Sequence, residues 1–549
     1  MTYQTEEIRI ASGIFQGDSF SPLWFCAALN PLSSMINRSS YGYAIDSNNI
    51  LTHLFYVDDL KLFARGRKQL EGELELVRNF SDDIGMTLGL GKCAVVEVRR
   101  GKLVQQGSIR LGDGRSIDSL RIEDSYRYLG VQQTYEIRQQ DNKQLAEEEL
   151  IRRVRRILGT QLSAKNIMTA INIWAIPSFT YTAGVLSWSK TDLERIDRKI
   201  RTTLTKYGTL HPNSAIERIY LPRKEGGRGL RSLEEACLKE EKSIREYFVR
   251  SNRPLHKWVN TYHHAPNRAG AAIPEEPERE NQLESMKQSW KSKSLHGRFY
   301  ASMQQEEVDV TKSNTYLTQG YLYPQTEGTL LAIQDQVVPT RSYIKHIMKQ
   351  QIESTKCRLC NSYEETIQHL SSGCSQIAGT KYLSRHNDMG KVVHQQMCLR
   401  EGLLRHFTPY HLYTPQALLE NENTKIYWDL TVVTDLGIEH NRPDMVVWNK
   451  VNKTALIIDF AVPLDNNLSK AYGEKVAKYE ALARQMKDLW KLKSVKIMSL
   501  IISANGLVHR RTAAHVEELN LPQNTITWMQ KAVVLGFLES GQLCYPTKV

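Results

Sequence analysis

The sequence predicts a multidomain α+β chain: a partial α/β region built on hairpins, a helical basic region, a small cysteine–histidine cluster, and a second α/β region near the C-terminus. Three observations predict it. Two adjacent acids, Asp58 and Asp59, lie between short apolar runs, Leu54-Phe55 before and Leu60 with Leu62-Phe63-Ala64 after. Three cysteines and a histidine fall at Cys357-x2-Cys360-x8-His369-x4-Cys374. Two β-rich runs, Met445-Val446-Val447-Trp448 and Ala455-Leu456-Ile457-Ile458-Asp459, flank a short polar turn and precede a helical stretch and another strand.

The 549 residues leave room for about three to five domains, and 41% hydrophobic residues suffice for buried cores. A net charge of +12 suits a polyanionic partner, although a generic basic protein carries the same balance. No run of 18 apolar residues occurs, so no membrane span is expected. The start, MTYQTEEIRI, lacks the regions of a signal peptide. Eight dispersed cysteines, three of them near a histidine, point to metal rather than disulfides and to an intracellular setting.

Tyr56-Val57-Asp58-Asp59 reads as a hairpin whose tight turn carries both acids. Burying unpaired carboxylates is costly, so they stay solvated or find a cation. Upstream stands Gly13-Ile14-Phe15-Gln16-Gly17-Asp18-Ser19-Phe20-Ser21-Pro22-Leu23, where Ser21-Pro22 starts a helix. Downstream stand Gly89-Leu90-Gly91-Lys92-Cys93 and Tyr126-Arg127-Tyr128-Leu129-Gly130. In this order and spacing the four pieces resemble the palm of reverse transcriptases from non-LTR retrotransposons. The resemblance implies that Asp58 and Asp59 are catalytic and hold Mg²⁺ (or Mn²⁺). It puts Gln16 and Gly17 beside nucleotide and template, where glycine lets backbone come close. It puts Lys92 near the nucleotide phosphates and Tyr126–Gly130 on the primer end. The family's first catalytic aspartate precedes the Gln-Gly piece on a separate strand, whereas the twelve residues before Gly13 hold only Glu6 and Glu7 as acids. The palm, residues 1–135, is therefore expected to be partial and without fingers, and polymerisation by this chain alone weak or nil. The chain is expected to be the C-terminal part of a longer element protein or a truncated copy.

From Leu145 to Gly159, Ile151, Val154 and Leu158 space one apolar helix face, and Arg152, Arg153, Arg155 and Arg156 fill the rest. That surface is either solvated or tracks a phosphate backbone with forked donors. Residues 161–188, His211-Pro212 and the basic, Gly-rich Arg218–Leu230 resemble the helical thumb of the same enzymes, giving a thumb over 136–250. The Gly-rich loop would admit backbone contact to phosphate. Residues 251–350 read as a linker: 251–285 is Pro- and acid-rich and exposed, and helical pattern resumes near Trp290. Gln325–Gly328, Gln334-Asp335-Gln336 and Thr340-Arg341 resemble the family's linker.

Cys357, Cys360, His369 and Cys374 offer three thiolates and one imidazole, a closed tetrahedral set that zinc prefers, so Zn²⁺ is expected in a structural role. The order resembles the family's zinc knuckle, residues 351–400. Arg385-His386-Asn387 and His394 follow, either as nucleic-acid contacts or as core or surface residues. Cys26, Cys93, Cys237, Cys398 and Cys544 read as isolated, mostly core cysteines.

In 401–549, Asp444 opens one strand and Asp459 closes the next, so the acids can approach and share a divalent ion. A helix is expected over Leu468–Leu489, with Lys475, Lys478 and Tyr479 on one face, then a strand over Val495–Ser503. The pattern resembles restriction-like nucleases, whose motif is Pro-Asp followed by (Asp/Glu)-x-Lys. Ala461 stands where that lysine belongs. This fits the retrotransposon branch, where the lysine moves to the next helix, as Lys475 or Lys478. Asp429 and Asp435 are further candidates. The whole set resembles site-specific non-LTR retrotransposons of the type inserting into ribosomal RNA genes (the R-two type). The fold then implied is a partial reverse transcriptase palm, a helical thumb, a zinc knuckle and a restriction-endonuclease-like domain. Target-primed reverse transcription would follow, with element RNA, chromosomal target DNA and deoxynucleotides as partners, no membrane, and a nuclear location. The competing reading is a non-catalytic nucleic-acid-binding remnant.

Overall fold

The computed structural model describes residues 13–263 and 279–542. Glu6, Glu7, Cys544 and part of the expected connection, 264–278, lie outside the described residues. The chain falls into two compact units, Met1–Ala146 and Glu147–Val549.

In the first unit a helix runs Ser21–Arg38, with Pro22 in its first turn. Ser21 Oγ donates to Phe15 O at 2.6 Å and the Phe20 N–H to Asp18 Oδ1 at 2.8 Å, which fixes the turn before it. Its Leu32 and Ile36 pack with Val77 of the helix Arg67–Asp83. Phe55, Leu60 and Leu62 of the acid hairpin close that core from below. Among the described residues the strands of this unit form five separate two-stranded sheets. Each strand is two to four residues long, too short to pair beyond its own hairpin.

In the second unit, the part of the basic helix Gln139–Leu158 from Glu147 onward buries Leu150, Val154, Ile157 and Leu158. The stretch 251–350 is not chiefly a linker. Trp290, Phe299, Tyr316, Leu317, Leu330 and Leu331 are all buried, because helices between 279 and 346 carry two of the unit's cores. Residues 251–261 are exposed or half-buried, closer to expectation.

The C-terminal sheet has five strands in chain order: Leu418–Glu420, Thr424–Trp428, Met445–Asn449, Thr454–Ala461 and Ser494–Ile501. The first four are antiparallel; the last pairs parallel with Thr454–Ala461, as the intervening helix Leu468–Leu489 requires. That helix covers one face through Tyr479, Leu482 and Met486. The other face carries Met389, Val393 and Met397 of the helix Leu383–Arg400, with Val516 and Met529 from helices further on. The result is a three-layer α/β/α fold. The expected boundary at residue 400 thus cuts through one core, since the second half of the knuckle region is a layer of this fold. Gly390 explains how close that layer lies: a Cβ there would meet Trp428 at 2.7 Å and Phe460 at 2.9 Å.

Glu73, in the helix Arg67–Asp83, is fully buried, and among the described residues neither carboxylate oxygen has a hydrogen-bond partner. Burial pushes its carboxyl up to about 7. A carboxyl that holds its proton more tightly when folded favours the fold at acid pH and loses that contribution as pH rises towards 7. Glu73→Gln is therefore expected to change stability little at pH 4.5 and to raise it by about 2 kcal/mol at pH 8. Urea unfolding at the two pH values checks this.

Candidate functional site

The acid hairpin pairs His53–Tyr56 with Asp59–Leu62, and Tyr56 faces Asp59 across a two-residue turn, Val57-Asp58. Val57 takes φ +54°, a left-handed conformation costly for a β-branched residue. Both acids are exposed at the tip. A second hairpin, Tyr126–Tyr128 with Val131–Gln133, stands beside it. Its turn residues Leu129 and Gly130 both have positive φ, as a tight hairpin turn demands. Lys61 Nζ donates to Gln133 Oε1 at 3.2 Å and lies 5.2 Å from the Tyr128 ring. Burial and the nearby Asp59 carboxylate push the Tyr126 and Tyr128 phenols up. Gln16, Gly17 (φ +98°) and Lys92 are exposed. Among the described residues they make no hydrogen bond to Asp58 or Asp59.

The basic helix departs from expectation at two of its four arginines. Glu149 takes hydrogen bonds from Arg152 at 2.7 Å and Arg153 at 2.6 Å, and these pull its carboxyl down to about 2. Arg153 also donates to Trp174 O at 2.8 Å and stacks 4.8 Å from that ring. Arg155 and Arg156 are exposed. The arginines of the Gly-rich loop point inward. Arg218 and Arg228 are buried, on Asp335 at 3.0 Å and Glu327 at 3.1 Å, and Arg223 meets Glu327 at 2.7 Å. Gly227 is needed because a Cβ there would lie 2.0 Å from Leu221 O.

The structure brings Cys357, Cys360, His369 and Cys374 together, their ligand atoms all within 4.8 Å of one another. Cys360 Sγ lies 3.3 Å from His369 Nε2. Backbone N–H groups of Tyr363 and Ser362 pull the Cys360 thiol down to about 6. Tyr382 clamps the far half: its hydroxyl donates to Leu370 O at 2.9 Å and accepts from the Cys374 N–H at 3.1 Å. Three sulfurs and one nitrogen in this space fit a tetrahedral zinc ion.

The second acid pair is more tightly built. Met445 pairs with Ile458, so Asp444 and Asp459 stand next in register on adjacent strands. The Phe460 N–H donates to Asp444 Oδ2 at 2.8 Å. Asp459 is buried; Lys475 Nζ lies 2.6 Å from its Oδ2 and Tyr479 donates to its Oδ1 at 2.7 Å. Lys478 donates to the Tyr479 hydroxyl at 3.0 Å, one step removed from the acids. Burial and Asp444's charge push Asp459 up against the pull of Lys475. Burial also acts to raise Asp444, but His386 and the Phe460 N–H outweigh it and hold that acid low. Two acids with opposed shifts, one beside an ammonium, form a set of hard oxygen donors suited to Mg²⁺.

His386 is the residue whose place the sequence left open. It projects from the helix Leu383–Arg400, with Nε2 3.2 Å from Asp444 Oδ2. Burial lowers it, yet its bond to Asp444 leaves it raised. The signal available was Arg385-His386-Asn387 just after the cysteine cluster. Asp429 instead pairs with Arg442 at 2.8 Å, and Asp435 is exposed, so neither carboxylate joins the pair. His394 is buried beside Tyr413 and Trp428, a core residue.

A family model described as reverse transcriptase (RNA-dependent DNA polymerase) matches residues 1–133. One described as L protein N-terminus matches residues 347–530. The chain is similar to the Retrovirus-related Pol polyprotein from type-2 retrotransposable element R2DM of Drosophila melanogaster. Identity is 26% over 236 residues, 42% of this chain and 22% of the relative. It is also similar to the Retrovirus-related Pol polyprotein from type-1 retrotransposable element R2 of Nasonia vitripennis. There identity is 25% over 273 residues, 46% of this chain and 26% of that one. These alignments span about a quarter of the length of the curated relatives. The likenesses support an R2-type retrotransposon polyprotein with its reverse transcriptase region in the first part of this chain.

Lys475→Ala leaves the Asp459 carboxylate buried without its cation and is expected to lower unfolding free energy by about 3 kcal/mol. Adding Asp459→Asn is expected to restore most of the loss. A double-mutant cycle by chemical denaturation reads both.

Proposed function

We propose that this R2-type chain belongs to a non-LTR retrotransposon protein that copies RNA into DNA at a nick it makes itself, by target-primed reverse transcription. The observation that carries the reading is the succession of two acid sites in one chain. The Asp58–Asp59 hairpin lies inside the region matching reverse transcriptases, and the Asp444–Asp459 pair with Lys475 lies downstream of the cysteine cluster.

At the polymerase site, Asp58 and Asp59 would hold Mg²⁺ (or Mn²⁺), which supplies activation of the primer 3′ oxygen and charge neutralisation at the leaving pyrophosphate. Gln16 and Gly17 would line the nucleotide and template, Lys92 would meet the phosphates, and the Tyr126–Gly130 turn would support the primer end. Arg155 and Arg156 are free to meet a phosphate backbone; Arg152 and Arg153 would have to leave Glu149 first. Cys357, Cys360, His369 and Cys374 would hold Zn²⁺, which supplies a crosslink between distant turns.

At the nuclease site, Asp444 and Asp459 would hold Mg²⁺ (or Mn²⁺), which polarises the scissile phosphate. Tyr479 and Lys475 fix the two oxygens of Asp459, and His386 and the Phe460 N–H fix Asp444, so neither carboxylate can turn away. Lys475 lowers the cost of ionising Asp459, whose carboxyl burial and Asp444 push up, and would orient the attacking water. Element RNA, deoxynucleotides and chromosomal DNA are the partners this implies, with the nucleus as the place of action.

The purified chain is expected to nick supercoiled plasmid DNA with Mg²⁺. Asp444→Ala/Asp459→Ala should abolish the nicking, and Lys475→Ala should slow it by about a hundredfold or more. Intact plasmid with DNA and RNA still bound would replace this reading with nucleic-acid binding alone. Primer extension on an RNA template, beside Asp58→Asn, tests the copying half.

A further inference from the structure

Arg385 is a buried cation with no anion of its own. It is 1% exposed, in the first turn of the helix Leu383–Arg400. Among the described residues no carboxylate pairs with it, and its Nε and Nη1 have no hydrogen-bond partner. An unpaired charge in such a place is costly unless something nearby offsets it. Its two attachments lead to one feature. Nη2 donates to Ser371 O at 2.9 Å, inside the turn His369–Gly373 that joins two of the four clustered side chains. The guanidinium carbon lies 5.2 Å from the Tyr382 ring. That tyrosine's hydroxyl bonds His369 O, Leu370 O and the Cys374 N–H.

Resting on the reading of the cluster as a zinc site, we propose that Arg385 is the positioning residue and counter-charge of that site. Three thiolates and a neutral imidazole around Zn²⁺ leave one net negative charge, in a pocket where Cys357 and Cys374 are buried. Arg385 supplies the matching positive charge from behind the His369–Cys374 turn. It also holds that turn in the shape that presents both ligands. Metal and arginine each remove the other's unpaired charge.

The test compares the full chain with Arg385→Met and Arg385→Gln, both uncharged, and Arg385→Lys, which keeps the charge. Zinc affinity is read by competition with a chromogenic chelator, and melting midpoints with and without EDTA. The uncharged variants are expected to bind zinc about tenfold or more weakly, and the lysine variant to recover most of that loss. With zinc bound the uncharged variants should melt below wild type; without zinc they should melt no lower than it. Glutamine keeps a donor for Ser371 O, so its loss isolates the charge, and it carries the test if the methionine variant does not fold. Equal zinc affinity in all chains overturns the proposal. So does an equal fall in midpoint with and without zinc, which would make Arg385 a packing residue alone. A wild-type chain that takes up no more zinc than Cys374→Ser overturns the zinc reading itself, and this inference with it.

Discussion

The second unit depends on a set of charges that are stable only together. Arg218 and Arg228 are buried, and so are Glu327 and Asp335, which receive them. None of the four can be left alone in that interior without a large desolvation cost. The segment 209–230 therefore cannot settle until the helix Pro324–Gln334 arrives, and the reverse holds equally. From there the polar contacts continue: Gln334 takes a bond from Arg218, shares one with the Tyr316 hydroxyl, and donates to Asn505 O at 2.8 Å. Gln530 donates to Ser313 O and Gly506 O, so the loop after the last strand is held from both sides. The arginine loop, the middle helices and the sheet that carries Asp444 and Asp459 thus share one interior.

How much of this could be read beforehand follows from distance along the chain. The Asp58–Asp59 hairpin, the helix Leu468–Leu489 and the spacing of the cysteine cluster are local patterns, and the structure has elements there. The arginines of the Gly-rich loop carry no local mark of burial, because their partners lie about a hundred residues away in sequence. The helical pattern that resumes near Trp290 is legible in the sequence, but the burial of Trp290, Phe299 and Tyr316 depends on packing partners distant along the chain. Arg153 is held by Glu149, four residues away on its own helix, and by Trp174 O, which only the folded chain brings to it. His386 reaches Asp444 only because the helix Leu383–Arg400 lies against the sheet, a tertiary fact that no local pattern carries.

The two acid pairs solve the same electrostatic problem in opposite ways. Asp58 and Asp59 stay in water, on a turn strained at Val57, with the phenols of Tyr126 and Tyr128 close by. Asp444 and Asp459 are drawn inside and held by a lysine, a tyrosine, a histidine and a backbone N–H. The second arrangement is preorganised: its carboxylates are held by fixed donors inside the protein, where electrostatic interactions are strongest. The first leaves its carboxylates exposed on the turn, with their orientation unfixed by any such set of partners among the described residues.

The helix Leu383–Arg400 begins directly after a wide, π-type turn at Ala378–Tyr382, and a second such turn spans His369–Gly373. A wide turn of this kind accommodates one residue more than an α-helix would. Each extra residue advances the helical phase by about 100°. Arg385, facing the cysteine cluster, and His386, facing Asp444, are consecutive, so the angular setting of this one helix serves two sites at once. Deleting a single residue from 378–381 would turn Tyr382, Arg385 and His386 together by about 100° relative to the His369–Gly373 turn. The irregular turn therefore works as a gear tooth, and the reading frame of the helix is as much a part of each site as the side chains themselves.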